Sequence, residues 1–290
     1  NFGSGAVLIQ GNVVEVNSSS TVNMGASTIT GTFDLTASGA VTDSGNLAIT
    51  GATTINASSN AVTLDSTNTF SNNLTVTGGA IDLGSQTVGG TLTLTGSGDI
   101  TDSTTVTVTD NLSVTATGSS AISMGTLEVG GTIALVTGTG DATVVNDNGL
   151  TFAASAVGGN LTATATAGII DFATSTVGGN LNVTATDGDM IDTGALTITG
   201  TSTFETSANN KTITLDQGGH SFTGKLLITT TDNETGIAND SDVTISAGSG
   251  AALVFGTSTI KGDLSVTTSN TTGITGSGVL TVHGTSSFTT

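Results

Sequence analysis

Three kinds of residue in this 290-residue chain are candidates for chemistry: 22 carboxylates, two histidines and a glycine doublet that recurs ahead of alternating runs. The carboxylates crowd at two places. Asp187, Asp189 and Asp192 lie in TDGDMID, and Asp232, Glu234, Asp240 and Asp242 lie in TTDNETGIANDSD. Calcium takes oxygen ligands from turns of this kind, so these seven residues are the candidate metal ligands. Neither an EF-hand loop nor a nonapeptide calcium repeat is present, and Asp and Asn also build turns in their own right. The sequence therefore predicts no cofactor, with calcium as the one ion in question.

His220, in DQGGHSF, reads as a turn residue, and His283, in LTVHG, as an outward strand residue. Both are expected to face solvent. Two isolated histidines supply neither a catalytic triad nor a three-ligand zinc site. Cleaving polysaccharide would call for paired carboxylates, cationic groups and aromatic platforms, yet the chain has three Lys and no Arg, Trp or Tyr. No catalytic residue is assigned, and the protein is expected not to be an enzyme.

The glycine doublets occur as TVGGTLTLT, EVGGTIALV, AVGGNLTAT and TVGGNLNVT. A phosphate cradle opens a helix, whereas each of these opens a run of period two, the signature of a strand with one face inward. A hydrophobe stands four residues ahead of the first inward residue: Val88 before Leu92, Val129 before Ile133, Val157 before Leu161, Val177 before Leu181. The same spacing recurs from Ile9 to Val13, Ile29 to Phe33, Phe70 to Leu74, Val108 to Leu112, Phe222 to Leu226 and Ile260 to Leu264. Two residues after the leading hydrophobe stand Gly11, Gly31, Asn72, Gly90, Asp110, Gly131, Gly159, Gly179, Gly224 and Gly262. All belong to the set that tolerates positive φ, so they read as structural corners in left-handed conformation. On this reading Gly179 is restricted, while its neighbour Gly178 should accept a side chain.

A variant corner, two residues longer, is expected where Ile49, Ile198 and Val282 are followed six residues later by Ile55, Phe204 and Phe288. One coil, from Ile133 to Leu161, spans 28 residues; its polar turns TGTGDA and NDNG are expected to bulge outward.

These corners must be positioned by short strands. Hydrophobic residues make up 35% of the chain, enough for a core, and they alternate with Thr and Ser rather than at helical spacing. The predicted class is all-β, a three-sided right-handed parallel β-helix (β-solenoid) with about 20 residues per coil and about 14 coils, on the order of 65–70 Å long. Residues 1–290 read as a single continuous repeat array, expected to be a fragment of a longer protein because neither end shows a capping repeat.

The run VGGNLNVTATDGDMIDTGALTITGTSTF, with its relatives at 31–55 and 262–288, resembles the haemagglutinin-type repeats of large secreted bacterial adhesins, the filamentous-haemagglutinin-like two-partner secretion exoproteins. The resemblance implies a β-helical shaft at the cell surface or outside the cell. It further implies a role in attachment, cell–cell aggregation or biofilm matrix, with a polysaccharide or protein surface as partner. A net charge of −19 repels nucleic acid and anionic lipid, and no apolar run reaches the roughly 18–20 residues that span a bilayer. Neither nucleic acid nor membrane insertion is expected. Two alternatives remain: end-to-end self-association into filaments through strand edges, and ice binding through outward Thr ladders.

Overall fold

The computed structural model describes residues 5–233, 240–248 and 250–290. Its regular elements are all β-strands, and its paired strands run parallel. The chain forms two compact units, Asn1–Val144 and Val145–Thr290, and together they carry about 14 solenoid turns spaced about 20 residues apart.

A coil holds one longer strand and two short ones, for example Leu92–Gly96, Ile100–Asp102 and Val106–Val108. Alternation decides which side faces in: Leu92 and Leu94 are fully buried, and Thr93 and Thr95 lie on the outer side. The next coil repeats the pattern in register, Leu92 opposite Leu112 and Leu94 opposite Val114. A slip of one residue would turn every Leu outward and every Thr inward, so the register is strongly specified. From Thr53 to Ala116 longer strands pair with longer ones and short with short. In the second unit a ladder of phenylalanines fills the interior; Phe172 stacks on Phe152 at 5.3 Å and meets Phe204 edge-on at 6.2 Å.

The second unit also contains an exchange. Its longer strands Leu181–Ala185, Ser202–Thr206 and Lys225–Thr230 pair in succession. The last of them is then met by two short strands, with Leu226 opposite Phe255 and Thr229 opposite Thr259. Conversely the bent strand Ile213–Phe222 is met by the longer strand Val243–Ala247, and the register slips between Leu215 and His220. Among the described residues two longer strands occur in succession at the switch, Lys225–Thr230 and then Val243–Ala247.

Four expectations need correction. At the first corner the inward register belongs to Val14, which pairs with Phe33; Val13 is 75% exposed. The variant corners are no longer than the others. Thr53 and Ser202 occupy the first inward position, opposite Leu74 and Leu181, and both are buried. A small residue is accommodated there because the next inward residue is larger: Ser202 with Phe204 replaces Leu181 with Val183, moving the same bulk two residues along. In the 28-residue coil the extra residues include the strand Ala142–Asn146, whose alternate residues are buried; they build wall where an outward bulge was expected.

The fourth correction concerns the corners. None of the ten corner residues has positive φ; among the described residues the left-handed ones are Ser58, Asn210, Gly118, Gly168 and Gly273. The constraint is space. A Cβ at Gly31, Gly90, Gly131, Gly179, Gly224 or Gly262 would fall within 3.0 Å of the backbone one coil earlier. The corner backbone itself carries coil-to-coil hydrogen bonds, the Gly179 N–H to the Gly159 carbonyl at 2.8 Å and the Gly51 N–H to the Gly31 carbonyl at 3.0 Å. At Asp110 the bond to the Gly90 carbonyl is 3.3 Å, and at Gly262 the bond to the Ser241 carbonyl is 3.2 Å. Gly178 is equally confined, since a Cβ there would meet the Gly158 carbonyl oxygen. Gly178→Ser is therefore expected to destabilise by about 1–3 kcal/mol, as Gly179→Ala should, because both force overpacking. Thermal melting of the two variants checks this, with a fall of about 2–6 °C expected for each.

Candidate functional site

The two short strands of a coil meet at a bend, and there the coil-to-coil ladder leaves backbone groups facing the interior. Polar side chains at the first position of the second short strand take them up. Ser27 Oγ accepts the Ile9 N–H at 3.0 Å and donates to the Gly25 carbonyl at 2.9 Å. Ser258 Oγ does the same with Ile228 N–H at 3.0 Å and the Gly256 carbonyl at 3.2 Å. Their burial follows from this pairing, since a buried backbone group without a partner is costly.

At two bends the position is filled by a residue that also engages a carboxylate. Asn68 Oδ1 accepts the Leu47 N–H at 2.8 Å, and its Nδ2 donates to Asp43 Oδ2 at 2.7 Å. His220 repeats the arrangement: its Nδ1 accepts the Leu196 N–H at 2.9 Å, and its Nε2 lies 2.9 Å from Asp192 Oδ2. Asp192 is further held by the amides of Asp216 at 2.9 Å and Gln217 at 3.2 Å. Because Nδ1 is occupied as an acceptor, the neutral ring carries its proton on Nε2. Burial lowers the His220 pKa below 6.5, against the opposing pull of Asp192 and Asp216. His220 is therefore an interior residue, contrary to the solvent-facing role expected of it, because the exchange of strands seats it at the bulge. His283 is exposed.

The candidate calcium ligands separate into different tasks. Asp187 is exposed and pairs with Lys211 at 3.0 Å. Asp189 accepts the Thr212 N–H at 2.7 Å, and Asp192 is committed as above. Asp232 is buried, Asp240 exposed, and Glu234 lies outside the described residues. Asp242 accepts the Asp263 N–H at 2.7 Å. Among the described residues no three of His, Cys, Asp and Glu gather where they could hold a metal ion.

Asp242 belongs to a column that was missed in the sequence. Immediately after the corner, an Asn or Asp Oδ1 accepts the amide at the same place one coil on: Asn160 from Asn180 N–H and Asn180 from Thr201 N–H, both at 2.8 Å. Asn73, Asn111 and Asp263 act alike. The signal was present in GGNL, NNL, DNL and GDL, beside the glycines that drew attention.

A family model described as repeats of unknown function (DUF5649) matches residues 10–77, 71–124, 166–229 and 240–290. The chain belongs to this family. The DUF5649 matches pause over 125–165 and 230–239. The first gap contains Thr132–Thr137 followed directly by Ala142–Asn146, and the second falls between Lys225–Thr230 and Val243–Ala247. The family pattern thus breaks where one longer strand follows another. No curated protein and no solved structure matches the chain.

The folded pKa of His220 lies below its unfolded value, so below pH 6.5 the unfolded chain takes up a proton that the folded chain refuses. The stability His220 contributes is full above pH 6.5 and declines as pH falls through the window beneath it, by up to about 1.4 kcal/mol per pH unit. His220→Asn, copying Asn68, is expected to keep the fold and flatten this loss. Melting curves between pH 7.5 and 5 decide it, and parallel declines for both proteins would refute the assignment.

Proposed function

We propose that the chain is a structural, non-catalytic length of a secreted bacterial surface protein, serving as the shaft of an adhesin or biofilm-matrix protein in attachment or cell–cell aggregation. The observation that carries this reading is the repeated wall. Coil after coil presents Thr and Ser outward, and polar side chains at the bends and corners end on backbone groups of the next coil. What such a fold multiplies is length and surface. The resemblance to haemagglutinin-type repeats supports an extracellular location, and the net charge of −19 disfavours nucleic acid and anionic lipid as partners, leaving polysaccharide or protein surfaces.

Beads coated with the full chain are expected to be retained under flow on immobilised cell-surface polysaccharide or matrix protein several-fold better than albumin-coated beads. Equal retention would count against attachment. Electron microscopy separates the filament alternative: discrete particles of one size accord with a shaft segment, and fibres that lengthen with protein concentration accord with an end-to-end filament subunit.

A second reading, ice binding, is favoured by one feature. In the first unit Thr54, Thr75 and Thr93 form one outward column, and Thr77, Thr95 and Thr115 form another beside it. Under that reading the purified chain at millimolar concentration shapes ice crystals and gives thermal hysteresis; unshaped ice rejects it.

A further inference from the structure

In the first unit the turns that leave the longer strands are unequal. Four successive longer strands, Thr53–Asn56, Leu74–Gly78, Leu92–Gly96 and Leu112–Ala116, are followed by short strands beginning at Val62, Ile81, Ile100 and Ile122. The connecting turns are 57–61, 79–80, 97–99 and 117–121, so two short turns lie between two longer ones. Each longer turn contains a left-handed residue, Ser58 at φ 57° and Gly118 at φ 68°. Ser58 has a side chain and so holds a conformation that is costly outside glycine; its N–H is fastened to Asn56 Oδ1 at 2.8 Å. The short turns begin at inward Gly78 and Gly96, where a Cβ would come within 2.9 Å of Val62 and Ile100 respectively. There the backbone hugs the core.

The longer turns therefore stand as end walls and the short turns as a floor. Between them lies a groove of about 440 Å³ lined mainly by Asn56, Ser58, Ser59, Thr77, Thr95 and Ser97, with Thr117 at one end. That volume falls within the roughly 300–1,000 Å³ of small-ligand sites. No charged and no aromatic residue lines it. Two outward hydroxyls of the same unit are engaged by carboxylates, Thr101 Oγ1 with Asp82 at 3.0 Å and Thr107 Oγ1 with Glu128 at 3.0 Å. Among the described residues the hydroxyls of Ser58, Ser59, Thr77, Thr95, Ser97 and Thr117 have no hydrogen-bond partner.

This chemistry selects the ligand. An anion would meet no cation, since all three Lys lie beyond residue 210. A cation would meet no carboxylate in the lining. A wholly apolar ligand would leave the hydroxyls among the lining's methyl and methylene groups unpaired, and a nucleobase would lack an aromatic to stack on. Neutral carbohydrate remains: its hydroxyls match free hydroxyls, and its C–H faces match the Thr methyl groups. Three coil steps separate the centres of the end walls, about 14 Å. We propose that the groove between turns 57–61 and 117–121 binds a short stretch of neutral carbohydrate running along the coil stack. The inference deepens the attachment reading and rests on it for the class of surface the protein meets.

Calorimetric titration of the full chain tests it, using maltotriose, cellotriose and triacetylchitotriose, with trigalacturonate as the charged counterpart. At least one neutral trisaccharide is expected to bind one to one with a Kd of about 1 mM or tighter, and trigalacturonate at least tenfold more weakly. The Thr77→Val, Thr95→Val double variant removes two exposed hydroxyls at constant shape and should weaken binding roughly 10-fold with no change in melting temperature. Thr36→Val, on the same wall outside the groove, should leave affinity unchanged. Failure of all three neutral sugars, comparable binding of trigalacturonate, or an unaffected double variant overturns the proposal. Bead retention without trisaccharide binding would overturn the groove and spare the attachment reading. Trisaccharide binding without bead retention would uphold the groove and reject attachment.

Discussion

A backbone group in a solenoid wall has its partner one coil away, and the rest of this structure depends on that constraint. Each N–H must meet a carbonyl or a side-chain oxygen about 20 residues distant in sequence, at the same place in the next coil. The corners show how far the constraint reaches. Coil-to-coil bonds of 2.8 to 3.2 Å continue around the bend at the glycine corners, and Asp110 keeps its bond at 3.3 Å. Where the ladder cannot continue through backbone alone, an Asn or Asp oxygen after the corner, or a Ser, Asn or His at the bend, completes it. The bend residues Ser27, Asn68, His220 and Ser258 are part of the wall's hydrogen bonding, which explains their burial in a core made mainly of Val, Ile, Leu, Ala, Phe and Met; the Asn and Asp after the corners do the same work at the exposed surface.

The same constraint explains why the exchange in the second unit is tolerated. Longer and short strands differ in length and bend, yet both offer the same parallel edge. A longer strand can therefore stack on a bent pair provided the register slips once, as it does between Leu215 and His220. The slip creates an interior site that needs an acceptor for the Leu196 amide and a neighbour for Asp192. In the first unit Asn68 fills the corresponding role beside Asp43 with a regular register. An amide and an imidazole are interchangeable there because each in its neutral form has an acceptor for the backbone amide and an N–H to turn toward the carboxylate.

The wall was legible in the sequence because period-two alternation reports directly on which side chains face in, and because the corner spacing fixes where each strand starts. The reason for the corner glycines was not legible. Left-handed torsion and close backbone approach both select glycine, and only the distance to the previous coil separates them. His220 was misread for a related reason: Gly218 and Gly219 before it look like a turn, while its burial is set by Asp192 and Leu196 on the preceding coil. Thr53 and Ser202 were hidden because a small polar residue at an inward position breaks the alternation that identifies the strand. Local pattern reveals elements; contacts across a coil decide what each position must satisfy.

The unusual composition also follows from stacking. An outward position repeats at each coil, so its side chains form a column with neighbours about 4.8 Å apart. Two like charges at that spacing repel by about 1 kcal/mol even in water, and a column of them would oppose the ladder along its length. Neutral residues avoid this, and Thr adds the β-branch that suits a pleated wall. The column Thr42, Thr63, Asp82, Thr101 and Ser123 illustrates the outcome, with one carboxylate flanked by hydroxyls and accepting from Thr101 Oγ1 at 3.0 Å. Glu15 opposite Asp34 departs from the rule. Elsewhere carboxylates gather in turns and corners, where they can accept backbone amides of the following coil, as Asp189, Asp192 and Asp242 do. A charged content of 9% with a net charge of −19 is thus what remains when ladders exclude repeated charge and turns retain acceptors. The same exclusion leaves free hydroxyls as the chemistry such a wall has to offer a partner.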